Sequence, residues 1–244
     1  AIAGGSGSGK TWLAERLERA LGRQALRLSL DDFYRDRSRI APARRARVNF
    51  DHPRAIDWNC LRSVLRRLLS GHPARVPCYD FATHCRRRQW RTLHPKPIVL
   101  LDGLWVLRRR ELRRWIALGL YLDCPAEIRF RRRLTRDLAA RGRTRASVRE
   151  QFLRMVEPMH ARFVAPQQRR ADLVLQHGFS EELVLKLAQE LRKLSSESSF
   201  KFQEAFLMFG ERCCLRSATS HDGSRLRQGF GAAGCLRHLA LSAI

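Results

Sequence analysis

The chain has 244 residues, 44% of them hydrophobic, enough for one substantial core and in keeping with a single domain followed by a tail. No run approaches the roughly 20 consecutive apolar residues of a membrane-spanning helix and no charged segment leads into an apolar secretory run, so a soluble cytoplasmic protein without a membrane partner is expected. The formal net charge of +25 would suit a polyanion, but arginine far outnumbers lysine, as a GC-rich coding sequence produces on solvated faces, and a nucleic-acid partner is not expected.

In chain order, Ala1-Ile2-Ala3 runs straight into a glycine-rich loop without an initiating methionine, so only the end of a first strand, truncated at its start, is expected. The loop Gly4-Gly5-Ser6-Gly7-Ser8-Gly9-Lys10-Thr11 matches G-x-x-x-x-G-K-[ST] in full and opens an amphipathic helix over Thr11 to Leu21. Glycines there let successive N–H groups turn toward phosphate oxygens, and the helix N-terminus adds partial positive charge. Lys10 is expected to reach the β- and γ-phosphates of ATP, with GTP as the alternative nucleotide, and Thr11 to ligate magnesium.

Alternating apolar and polar residues predict a strand over Ala25 to Leu30, nearly continuous apolar runs predict buried strands over Ile98 to Leu101 and Leu118 to Leu122, and Asp172 to Leu175 reads as another. Helical spacing predicts helices over Leu61 to Leu69, Glu127 to Ala140, Val148 to Phe163 and Glu181 to Leu194. Alternating strands and helices imply an α/β fold with a parallel sheet covered on both faces. Asp31 follows one strand and Asp102 closes another, which puts both carboxylates at the carboxyl edge where such folds bind ligands.

Seven cysteines, scattered apart from Cys213-Cys214, show no C-x-x-C spacing and suggest free thiols in a reducing compartment. Cys78, His84, Cys85 and His94 share one short stretch, but their spacing suits no common structural zinc pattern. From Ser195 onward serines, paired cysteines and a Gly-Ala-rich stretch predict a poorly ordered tail outside the fold, with helical spacing only over Phe202 to Phe209. A partner-binding segment or a shifted reading frame would also account for the tail.

Three segments decide among the many phosphate-loop proteins. Ser29-Leu30-Asp31-Asp32-Phe33-Tyr34-Arg35, Asn49-Phe50-Asp51-His52-Pro53 and Pro77-Cys78-Tyr79-Asp80-Phe81-Ala82-Thr83-His84 resemble, in this order, the uridine-cytidine kinase family. Leu101-Asp102-Gly103-Leu104, Arg132 to Asp137 with Arg141-Gly142-Arg143, Pro158-Met159 and Ala171-Asp172 extend the likeness over about residues 1 to 190. The resemblance implies a P-loop NTPase fold of three α/β/α layers: a five-stranded parallel sheet, a small β-hairpin excursion over about 73–97, and an arginine-bearing lid over about 136–147, within a kinase domain of residues 1–194. It also implies an ATP- and magnesium-dependent kinase acting on the 5′-hydroxyl of uridine or cytidine in pyrimidine salvage, and a homo-oligomer.

By the same resemblance Asp31 is the base for the 5′-hydroxyl and approaches the metal, with Asp32 the adjacent alternative. Asp102 orients magnesium where many relatives carry glutamate. Asp51 and Arg133 hold the ribose hydroxyls, Tyr79 and His84 read the pyrimidine edge, and Phe50 and Phe81 stack around the base. Arg136, Arg141 and Arg143 swing over the phosphates, and Gln151 completes the substrate side. On residue type alone these aromatics also read as core, Asp31 as a helix cap and the arginines as a solvated face. A related kinase for phosphoribulose or pantothenate, or a non-catalytic nucleotide- or nucleic-acid-binding regulator, would share the phosphate loop.

Overall fold

A computed structural model describes the backbone of residues 1–45, 48–141 and 143–212. Seven strands are described: β1 (Ile2–Gly4), β2 (Ala25–Ser29), β3 (Ala74–Asp80), β4 (Cys85–Leu93), β5 (Ile98–Asp102), β6 (Leu120–Asp123) and β7 (Leu173–Gln176). Five form a parallel sheet in the order β2-β5-β1-β6-β7, and β3 and β4 form a separate antiparallel hairpin. The helices are α1 (Lys10–Leu21), α2 (Pro42–Arg45), α3 (Trp58–Leu69), α4 (Arg110–Arg113), α5 (Ala126–Arg141), α6 (Arg145–Gln151), α7 (Glu157–Met159) and α8 (Glu181–Arg212).

Period-two alternation on the strands builds the three layers. Ile2, Leu100, Leu120, Leu122, Leu173 and Leu175 point to one face, where they pack with Leu13 and Leu17 of α1 and Val184 and Leu187 of α8. Ala3, Leu26, Leu28, Leu101 and Tyr121 point to the other, against Leu61, Val64, Leu65 and Leu68 of α3 and against Trp105. β1 lies centrally, paired on both sides by β5 and β6, so short as it is, all three of its residues are buried.

Two elements differ from the sequence expectation. The helix expected over Val148 to Phe163 is interrupted: Phe152–Val156 and His160–Val164 are π-helical and flank α7, with a 3-10 stretch over Ala165–Arg170. Pro158 supplies a cause, since a proline inside a helix cannot donate to the i−4 carbonyl. α8, expected over Glu181 to Leu194, runs on to Arg212 and takes in Phe202–Phe209, where helical spacing is expected. No glycine or proline interrupts the sequence between Leu194 and Gly210. Residues 213–244, with Cys213 and Cys214, lie outside the described residues, as does Gly142.

Candidate active site

At the end of β1 the phosphate loop turns through positive φ at Gly7 (83°) and Gly9 (102°). A Cβ at Gly7 would stand 2.5 Å from the carbonyl oxygen of Arg129, so the loop is pressed against α5 at a point only glycine fits. Gly9 caps α1 in the left-handed conformation without a side-chain hydrogen bond, so no cap side chain competes for the N–H groups of the first turn. Lys10 is buried, and its Nζ donates to the Gly5 carbonyl at 2.7 Å. Burial lowers its pKa to about 8, against the opposing pull of Asp31 and Asp102.

Ser6, Gly7, Gly9, Lys10 and Thr11 line one end of a cavity of about 330 Å³. Gly4, Gly5 and Ser8 are not among its lining residues: Gly4 ends β1, Gly5 accepts from Lys10, and the Ser8 side chain is fully buried.

Two carboxylates face the same end. Asp31 lies in the 3-10 turn Leu30–Phe33, and the cap of that turn is Ser29, whose Oγ accepts from the Asp31 N–H at 3.3 Å. Its carboxylate is therefore not spent as a cap, and Asp31 lines the cavity. Asp102, at the end of β5, is buried, and its carboxyl is raised to about 6 by burial and by Asp31, against Arg27 and Lys10. Gly103 lets β5 pass close to the Asp31 turn, since a Cβ there would stand 2.3 Å from Leu30 Cβ. Two carboxylates close enough to penalise each other, with the Thr11 hydroxyl on the same wall, form a donor set that suits a hard divalent cation completed by waters and phosphate oxygens.

α5 supplies the cationic wall. Arg133 is buried and central: it donates to Ser6 Oγ at 3.0 Å and Gln151 Oε1 at 2.9 Å, and lies 3.8 Å from Asp51 and 3.4 Å from Asp137. Arg136 donates through Nε to the fully buried Asp137 at 2.9 Å, and Arg143 donates to the same Gln151 oxygen. Arg133, Arg136, Arg143 and Gln151 all line the cavity. Arg141 ends α5, and its side chain lies outside those described.

The other end of the cavity is aromatic. Phe50 and His84 stack with centroids 4.4 Å apart, and Tyr34 contacts Phe50, Tyr79 and Phe81 at 5.9, 5.1 and 6.0 Å. All of these line the cavity together with Asp51. His84 turns the hairpin with φ of 56°, the one positive-φ residue other than glycine among those described. The Tyr79 hydroxyl is buried without a hydrogen-bond partner, and burial pushes its phenol above the usual range. A buried donor without a partner at a cavity wall is a group that a ligand can satisfy.

Residues 1–183 match the profile of the Phosphoribulokinase / Uridine kinase family. The chain belongs to that family. Among curated proteins, a uridine kinase of Deinococcus deserti is 45% identical over 185 residues, 75% of this chain and 89% of the relative. A uridine kinase of Staphylococcus epidermidis is 37% identical over the same shares. Among solved structures, phosphoribulokinase from Rhodobacter spheroides superposes with a TM-score of 0.55 at 19% identity, covering 72% of this chain and 68% of that one, a likeness of fold. As a member of the phosphoribulokinase / uridine kinase family the chain is a nucleotide-binding kinase built on the P-loop fold.

Sequence reasoning missed four side chains around this kinase site. Arg27 reaches from β2 to Asp102 at 3.4 Å and to Glu15 of α1 at 3.5 Å. Arg129, buried behind the phosphate loop, donates through Nη2 to both carboxylate oxygens of Glu157. Asp137 gathers Arg133 and Arg136, and Tyr34 joins the aromatic end. Tyr34 and Asp137 stood inside quoted motifs, whereas a lone arginine on a strand, or one among many on a helix, carries no local signal.

Proposed function

We propose that this chain transfers the γ-phosphoryl group of ATP to the 5′-hydroxyl of a pyrimidine nucleoside, uridine or cytidine. The observation that carries the reading is one continuous cavity joining the phosphate loop to the aromatic hairpin end, with carboxylates and arginines between. At about 330 Å³ it lies within the range of small-ligand sites. The curated relatives named uridine kinase, matched over 89% of their length, supply the substrate class.

In this reading the nucleoside base enters among Phe50, Phe81, Tyr79 and His84, where the Tyr79 hydroxyl gains the partner it lacks in the protein. Asp51 and Arg133 take the ribose hydroxyls, and a site that hydrogen-bonds both rejects analogues lacking one. Asp31 accepts the proton of the 5′-hydroxyl as that oxygen bonds to the γ-phosphorus and the bond to the ADP oxygen breaks. Lys10, Arg136, Arg141 and Arg143 hold the phosphate oxygens in line, a task of positioning and charge neutralisation. Thr11, Asp31 and Asp102 would hold magnesium, which when bound neutralises charge on the β- and γ-phosphate oxygens. Such a reaction salvages preformed pyrimidine nucleosides, and we place it in the cytoplasm; among the described residues no helix is long and apolar enough to cross a membrane.

ADP formation with magnesium and ATP, measured across uridine, cytidine, thymidine, adenosine, pantothenate and ribulose 5-phosphate, tests the proposal. Turnover that requires uridine or cytidine, with the monophosphate as product, is expected. Turnover with another acceptor instead, or with none, would overturn it.

A further inference from the structure

The hairpin bearing Tyr79 and His84 and the turn bearing Asp31 come from distant parts of the chain, and two arginines of β4 tie them: Arg91 through the Asp32 carboxylate at 2.5 Å, and Arg86 nearer the tip. Arg86, two residues past His84, donates through Nε to the Tyr34 carbonyl at 2.8 Å and through Nη2 to the Phe33 carbonyl at 3.4 Å and the Asp57 carboxylate at 3.2 Å. Its own N–H donates to Asp36 Oδ1 at 3.0 Å. Phe33 ends the 3-10 turn that holds Asp31, and the Asp57 carboxylate also caps α3 through the Cys60 N–H. The side chain is only 14% exposed and does not line the cavity, so it acts through the groups it holds.

A β-bulge between Pro77 and Tyr79 divides the hairpin in two. The root, where Ala74 and Val76 are buried in the main core and Arg91, opposite Val76, pairs with Asp32, is held by apolar packing and that ion pair. The tip, where Tyr79 pairs with Arg86 and Asp80 with Cys85, carries the cavity residues, and Arg86 is its ionic link to the body. One guanidinium serves three acceptors in two segments, a spread that the compact ammonium of lysine cannot match.

We propose that Arg86 is a positioning residue that locks the acceptor-reading tip of the hairpin to the Asp31 turn, so that its guanidinium couples acceptor selection to phosphoryl transfer. This rests on the acceptor and base roles given above. The test is Arg86→Ala and Arg86→Lys in the full chain, with acceptor kinetics, ATP affinity and the ratio of ADP to nucleoside monophosphate formed.

Both variants are expected to lose about 100-fold in kcat/KM for the nucleoside while holding ATP as wild type does, because a charged donor network is lost away from the phosphate loop. ADP is expected to form in excess over product, and millimolar guanidinium to restore Arg86→Ala in part but not Arg86→Lys. A structural role alone would not move that stoichiometry or respond to guanidinium. Wild-type kinetics with one-to-one stoichiometry in Arg86→Lys would overturn the coupling, as would parallel loss of ATP binding without rescue. If Arg86→Ala does not fold, Arg86→Lys decides by its ATP affinity and stoichiometry. Wild-type protein without pyrimidine-nucleoside turnover would instead overturn the functional reading and the proposal with it.

Discussion

The phosphate end of the cavity is lined by Ser6, Gly7, Gly9, Lys10 and Thr11 of one loop and by residues at the ends of strands buried between two helical layers. The acceptor end gathers Tyr34, Phe50, Asp51, Tyr79, Phe81 and His84 from three separate segments, one of them a hairpin whose outer strand β4 is largely exposed. At the first end geometry is fixed by backbone and by single buried charges. At the second it is shared among ring contacts that can partly replace one another. Changes at the phosphate end should therefore be severe and indifferent to the acceptor, and changes at the acceptor end graded and selective.

The largest effect is expected where the two ends meet. Asp31→Asn removes the proposed proton acceptor but keeps the shape of the turn, since Ser29 and not Asp31 caps it. Turnover should fall by about 10³-fold, within the usual contribution of a general base, while ATP affinity stays near wild type. Initial rates beside calorimetric ATP titration separate the two, and near-normal turnover would remove Asp31 from the base role.

Lys10→Ala should cost about 10²- to 10³-fold in kcat/KM, as for other groups that neutralise developing charge, and it should weaken ATP binding as well. The loss should be the same factor for uridine and cytidine. A variant that discriminates between acceptors would break the division of labour drawn above.

Behind the phosphate loop, stability itself should respond to pH. His160 packs against Gly5, and burial, with Arg129 and Lys10 nearby, lowers its pKa from 6.5 to about 4. The folded state thus resists a proton that the unfolded state accepts. The resulting stability is fully present above pH 6.5 and is lost as pH falls toward about 4, a change on the order of 3 kcal/mol. His160→Gln, which cannot take the charge, should flatten that part of the curve in denaturant melts run across this range. Equal slopes for both proteins would show that the imidazole is not held neutral.

The same two regions differ in how far the sequence announces them. Gly4 to Thr11 is legible because its chemistry is local: the loop that binds phosphate is the loop that is read. Asp31 and Asp102 are legible because strand ends in a parallel sheet share one edge. Tyr79 and His84 were reached through family resemblance alone, since on residue type an aromatic in a short apolar run is core. Arg27, Arg86 and Arg129 stayed hidden because their partners lie 75, 52 and 28 residues away and the chain is crowded with arginine. The π-helical turns were hidden as well, for apolar spacing does not distinguish a helix that closes i−4 bonds from one that opens at a proline.

The smallest effect is the most specific to the acceptor end. Tyr79→Phe deletes a hydroxyl that is buried without a protein partner, so the free protein loses no hydrogen bond and sheds a desolvated polar group. Its Tm should stay level or rise slightly, while kcat/KM for the pyrimidine nucleoside falls about tenfold, the worth of one hydrogen bond made only to the ligand. Opposite movement of the two readouts is what a ligand-directed hydroxyl requires. A fall in Tm with unchanged kinetics would assign Tyr79 to packing with Tyr34 and Phe81 and leave base reading to His84.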